Sequence, residues 1–282
     1  MANFGFQLLL AFVFATIPAG IYAKLQYHDI LANVDWLHGT AESLLTITNL
    51  FIVFGMRETR QKPTENSPVK AFDSGALVTL SALAMIGAFN GLGFHPEPLN
   101  ALSIPTWIVH ASSLLEWLVA MKLIFEHAET SGNPRWRGMT WAMVPSHTSG
   151  LCACTFHLFY NSPALNWLVV LQSFLTLFGN STMALAAYRI FAYERDRTLE
   201  ASDARAPTSS TPPVDESDGK FLVDMFLKSL AASLLVKYGE LAFDFPFEAS
   251  SAVAAAFVFL PTLANIAKWQ RRSAARRETS AA

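Results

Sequence analysis

The chain has 282 residues, of which 52% are hydrophobic and 15% charged, with 22 Phe and a net charge of −2. A soluble domain of this size carries about 25% charged residues, so this composition excludes an ordinary soluble globule and points to a multi-pass membrane protein. The near-neutral balance offers no basic surface to nucleic acid, and two cysteines exclude a disulfide framework.

The chain opens MANFGFQLLLAFVFATIPAG and enters an apolar run almost at once. It has neither the positive start of a secretory signal nor the Ser/Arg richness of a transit peptide, so no cleavable targeting segment is expected. An imported organellar product would need a presequence that this stretch does not supply.

A helix needs about 20 mainly apolar residues to span a bilayer. In chain order, the spans expected are 4–23, 36–54, 74–94, 104–126, 139–160, 164–192, 221–243 and 249–269. The fold expected is therefore an all-α polytopic membrane helix bundle of about eight transmembrane helices. The sixth span is long enough to tilt or project. The seventh is the weakest, because Asp224, Lys228, Lys237 and Glu240 lie within it.

Basic residues decide its retention. They gather between spans two and three (Arg57, Arg60, Lys62, Lys70), four and five (Arg135, Arg137), and six and seven (Arg189 to Lys220), and again after span eight. The alternate connections carry almost none. By the positive-inside rule, both termini face the cytoplasm or its topological equivalent. Removing the seventh span would put the basic C-terminus on the wrong side.

Two polar segments divide the chain. RETRQKPTENSPVK (57–70) reads as a loop, and ASDARAPTSSTPPVDESDG (201–219) as a disordered linker. The expected organisation is an N-terminal membrane module (1–73), a central four-span module (74–200), that linker, and a C-terminal helix pair with a basic tail (220–282). NPRWRG (133–138) reads as an anchor at lipid headgroups.

Ionisable groups in a span cost about 2.5–3.5 kcal/mol on insertion scales, so they need partners and are candidate functional groups. The alternation of spans gives each a depth. His38 and Glu42 on span two, His110 and Glu116 on span four, and Cys154 and His157 on span five fall in the outer half or near the middle. Lys237, Glu240 and Asp244, at the outer end of span seven, form a secondary charged group. They suit an anionic ligand or proton transfer, or simply make a charged helix tolerable. The i,i+4 pair Asp224 and Lys228 has salt-bridge spacing.

HTSGLCACTFH (147–157) looks like a metal motif but is not self-contained. His147 and Cys154 share a helix face, yet about 10 Å of rise separates them, and ligand bonds are near 2 Å. Cys154 and His157 can supply two ligands only if other helices supply the rest. The simpler reading of Ser149, Gly150, Ala153 and the cysteines is close helix packing. His38 and Glu42, at i and i+4, share a face and can ligate a metal, relay a proton or fix packing. His110 and Glu116 do not share a face, so Glu116 should find its own partner, such as an indole N–H or a Ser hydroxyl. The expectation is that His38, Glu42, His110 and His157 converge in the outer half of the bundle, with a structural hydrogen-bonded cluster preferred over a ligand site.

WIVHASSLLEW, NPRWRGMTWAMVPSHTSGLCACTFHLFYN and LQSFLTLFGNSTMALAAYRI, within residues 102–195, resemble an uncharacterised hypothetical-chloroplast-reading-frame family of cyanobacteria and photosynthetic eukaryotes. ATIPAGIYAKLQYHDILANVDWLHGTAESLLTITNLFIVFGMRE (15–58) is similar to a second uncharacterised family of the same lineages. The resemblance implies a plastid or cyanobacterial membrane, thylakoid or envelope, and supplies no catalytic residues or cofactor. The partners implied are the lipid bilayer and photosynthetic membrane complexes. The leading role is a non-enzymatic accessory, assembly or biogenesis factor. The alternatives are a membrane enzyme or a metal-, pigment- or cofactor-binding protein using the outer-half His/Glu cluster, and a proton-coupled transporter.

Overall fold

The computed structural model describes residues 2–58, 82–83, 94–201 and 216–281; these are helical or in connecting turns, with no strand among them. The expected span at 74–94 lies outside the described residues apart from 82, 83 and 94, as do most of the 57–70 loop and the core of the 201–219 linker. The helices are α1 (Ala2–Gln26), α2 (Asp35–Glu58), α3 (Ile104–Thr130), α4 (Trp136–Ala142), α5 (Val144–Leu158), α6 (Asn166–Ala201), α7 (Glu216–Ala242) and α8 (Ser251–Ala281).

Local chemistry sets their ends. Ser103 is in an extended conformation and its Oγ caps the Thr106 N–H, while Pro105 occupies the first turn of α3. The expected span at 139–160 is two pieces, α4 and α5, joined at Met143. Pro145 follows this break and sits in the first turn of α5, where its missing N–H costs nothing. α6 is 36 residues long. At 1.5 Å per residue it extends about 54 Å, well beyond a hydrocarbon core of about 30 Å.

Among the described residues, five helical stretches are long and apolar enough to cross a membrane: Phe4–Gln26, Asp35–Arg57, Ile104–Thr130, Pro163–Leu199 and Ser251–Ala275. Their outer faces carry large apolar side chains, among them Phe14 and Ile17 on α1, Phe174 and Leu177 on α6, and Leu260 and Leu263 on α8. A continuous apolar exterior of this kind suits lipid. α7 is a full helix that misses the apolar criterion. Its Asp224 and Lys228 form an i,i+4 ion pair at 2.6 Å.

α3 is the centre of the bundle, packing on α2, α4, α5 and α7. It runs parallel to α2. The Asp35 carboxylate accepts from the Ser103 N–H at 3.0 Å, Gly39 lies against Thr106, and the Thr46 and Ser113 hydroxyls bond at 3.1 Å. α5 runs antiparallel to α3, with the Trp117 indole N–H donating to the Met143 carbonyl at 3.0 Å. α6 is antiparallel to α5: Ser149 bonds Thr176 at 2.7 Å, and the Thr182 hydroxyl donates to the Ala142 carbonyl at 3.0 Å. α8 lies against α5 through Thr148 and Thr262, 3.1 Å apart. α7 is antiparallel to α2 and α3, with Phe221 near Phe54 at one end and Lys237 at the Leu102 carbonyl at the other.

Two buried apolar clusters hold these helices. One joins Ile52 and Met56 of α2, Trp117, Met121 and Ile124 of α3, Met143 and Trp269. The other joins Cys152, Phe156 and Phe159 to Leu165, Ala254 and Val258.

Candidate metal centre

Three histidines from three helices meet near the N-termini of α2 and α3. His38 Nε2 lies 3.0 Å from His110 Nε2 and 3.1 Å from His157 Nε2. One ligand nitrogen from each ring falls within a group no wider than 4.8 Å. All three residues are buried, at 7%, 4% and 4% exposure. The ring centroids are 4.7–5.0 Å apart, and His110 and His157 are stacked.

The meeting follows from helix register. His38 is in the first turn of α2, whose start is tied to that of α3 by Asp35 and Ser103. One residue later, Gly39 lets the helices close: a Cβ there would sit 2.6 Å from Thr106 Oγ1. Thr106 is one turn before His110, so the same contact brings His38 and His110 together. His157 ends α5, and the following turn fixes it. Tyr160 and Asn161 adopt positive φ, 49° and 53°. The Asn161 amide donates to the Ala32 carbonyl at 3.1 Å and to Asn33 Oδ1 at 2.7 Å. The Asn100 amide in turn donates to the Tyr160 carbonyl.

Hydrogen bonding alone does not satisfy this arrangement. A neutral imidazole Nε2 carries either one N–H or one lone pair, yet His38 Nε2 faces two other Nε2 atoms. At most one contact can be a well-directed hydrogen bond. A cation uses all three lone pairs. Nitrogens held about 2.05 Å from one tetrahedral ion stand about 3.3 Å apart, close to the 3.0 and 3.1 Å that separate His38 Nε2 from the other two. Nδ1 of His38 and Nδ1 of His157 are buried without a hydrogen-bond partner among the described residues. Ring packing, with Asn161 beside His157, therefore sets the orientation of these two imidazoles.

The other candidates fall elsewhere. Glu42 and Cys154 lie outside the three-nitrogen group and instead line a cavity that His110 also borders. Cys154, three residues before His157 on α5, is not part of that group. Glu116 is 3% exposed, and Asn49 is the polar group beside it; the expected indole or Ser partner is not the one found. Lys237 and Glu240 are buried, 3.8 Å apart, but Lys237 also binds Glu97 and the Leu102 carbonyl. Asp244 pairs with His95 at 2.8 Å at the surface. Sequence reasoning missed Glu97, Asn161 and Gly39. Glu97 sits in the short segment HPEPLN, which carries no periodic signal.

The described chain is thus an all-helical protein, built on helices suited to a bilayer, with a buried three-histidine cluster where α2, α3 and α5 meet. Residues 101–189 match a family described as "Protein of unknown function (DUF2499)", and residues 1–61 match "Protein of unknown function (DUF3593)". The chain is 50% identical over 93 residues to a "Ycf49-like protein" of Synechocystis, covering 89% of that protein and 33% of this chain. It is 41% identical over 85 residues to "Uncharacterized protein ycf49" of Cyanophora paradoxa, covering 83% of that protein and 30% of this chain. The chain belongs to this Ycf49-like family of cyanobacteria and plastids. No solved structure matches it.

Proposed function

We propose that the protein is an integral protein of a photosynthetic membrane that holds one divalent first-row transition-metal ion on His38, His110 and His157. The convergence of three Nε2 atoms from three helices carries this reading. Imidazole suits zinc, copper, iron and nickel. Three protein nitrogens leave a coordination position open, the pattern of a reactive rather than a closed structural site. The accessory or biogenesis role expected for the family then becomes that of a metal-holding membrane protein. The preference for a purely structural cluster gives way because one Nε2 cannot hydrogen-bond well to two others.

The eight-span topology, with both termini on the basic side, belongs to the same proposal. Parallel packing of α2 and α3 supports it. The chain leaves α2 at one face of the bundle and enters α3 at the opposite face, as a chain with the span expected at 74–94 would. The antiparallel course of α7 supports counting it as a crossing, its charges being covered by Asp224 with Lys228 and by Lys237 with Glu97 and Glu240. The three histidines then lie toward the face that carries few basic residues.

Metal analysis of protein purified in detergent without chelator tests the reading. The wild type should carry about one ion per chain. His38→Ala and His157→Ala should each carry none while keeping their helical circular dichroism. Wild-type protein that stays metal-free after incubation with zinc, copper, iron and nickel would overturn it.

A further inference from the structure

We infer that the cavity one turn below the three imidazoles binds the head of a lipid-soluble molecule built on one six-membered ring with oxygen substituents. The inference deepens the metal reading, since His110 borders both, but it stands on the cavity itself. Glu42, one turn from His38, and Cys154, one turn from His157, also line it. An occupant therefore lies next to the centre.

Size selects the occupant. The cavity holds about 130 Å³, and an apolar cavity of about 150 Å³ holds one benzene. Lining chemistry selects its substituents. Leu9, Phe12, Leu45, Leu114 and Met183 supply apolar wall. Asn49 Oδ1, Ser146 Oγ and His147 Nδ1 are buried atoms of lining residues that have no hydrogen-bond partner among the described residues. Asn49 and His147 are only 1% and 5% exposed. Buried polar atoms are nearly always paired, so these mark places where a ligand completes the bonding. An acyl tail would leave them unpaired, and a wholly polar solute would face the leucines. A ring bearing hydroxyl or carbonyl oxygens answers both.

Access is from the lipid. α1 contributes Leu9 and Phe12, and α6 contributes Gln172, Thr176 and Asn180. Among the described residues these two helices make little contact with one another, and both present apolar residues outward, Phe14 and Ile17 on one and Leu177 and Phe178 on the other.

The test is calorimetric titration of the full chain in lipid nanodiscs with 2,6-dimethyl-1,4-hydroquinone, with empty nanodiscs as the baseline. Wild-type protein should bind one molecule saturably. Ala153→Phe, which fills the cavity, should abolish binding, and Asn49→Leu should weaken it about tenfold, both with metal content unchanged. Should Ala153→Phe fail to fold, Met183→Trp serves as the filling variant. Binding by metal-free His157→Ala would uphold the cavity even if the metal reading fails. Binding lost in His157→Ala but kept by the wild type would overturn the inference by placing the ring at the metal instead of in the cavity. Heat no different from empty nanodiscs in metal-loaded wild type, or binding undiminished in the filling variant, would overturn the inference and leave the metal reading intact.

Discussion

Gly39→Ala perturbs the centre without touching a ligand. The added Cβ would stand 2.6 Å from Thr106 Oγ1, with Thr106 Cβ at 3.3 Å and Cγ2 at 3.4 Å. Ordinary contact begins at 3.4 Å, so the hydroxyl contact is about 0.8 Å too short. Rotating Thr106 gives only partial relief, because its Cβ stays at 3.3 Å and the hydroxyl leaves its bond with Ser103 Oγ. If α2 retreats by this amount, the His38–His110 nitrogen separation of 3.0 Å opens to about 3.8 Å, beyond the roughly 3.3 Å that one ion spans. Overpacking of this kind costs about 1–3 kcal/mol. Metal affinity should fall about 10–100-fold, the range seen when a ligand-orienting group is lost. The assay is competition against a chromophoric chelator, alongside thermal unfolding. Adding Thr106→Ala to Gly39→Ala removes the clashing atoms and should restore most of both quantities. Wild-type affinity and Tm in Gly39→Ala would refute the reasoning, as would a double variant no better than the single.

Gly179→Ala should destabilise more than Gly150→Ala in thermal unfolding. Its Cβ would meet the Ser146 backbone N at 2.9 Å and Cα at 3.3 Å, whereas Gly150 faces only the movable end of Leu114. Lys237→Met should cost about 1–3 kcal/mol by removing the donor from the Leu102 carbonyl and the cation from Glu97 and Glu240, and Lys237→Met with Glu240→Gln should recover part of it. Asn161→Ala should cost about 1–3 kcal/mol, through lost hydrogen bonds and a positive φ that Ala tolerates poorly. It should also weaken metal binding, because His157 loses its anchor. Chelator competition and unfolding measure both effects.

The helices were legible because apolar runs and their punctuation are local. Ser103 and Pro105 mark the start of α3 in the sequence as they do in the structure. That His38, His110 and His157 lie together was expected from the spans and basic loops, which put them at one level, and the three do meet. Which nitrogens meet was not, since that depends on α2 and α3 running parallel and in register, a long-range fact. Close approach at Gly39 and Gly179 was hidden for the same reason. A glycine announces room for a neighbour but not which neighbour takes it, and the reading singled out Gly150, where contact is looser. The break at Met143 had a local signal in Pro145, but the apolar residues 141–144 run across it and suit a single helix. Cys154 was offered as a ligand from spacing alone, whereas the rotation of α5 faces it to the cavity with Glu42.

X-ray absorption at the metal edge of the loaded, purified protein tests the central claim most directly. The account predicts a shell of three imidazole nitrogens at about 2.0–2.1 Å, with outer-ring scattering from all three rings, and a shell depleted or absent in His110→Ala. A first shell dominated by sulfur, or by oxygen alone, would contradict it, as would a spectrum that His110→Ala leaves unchanged.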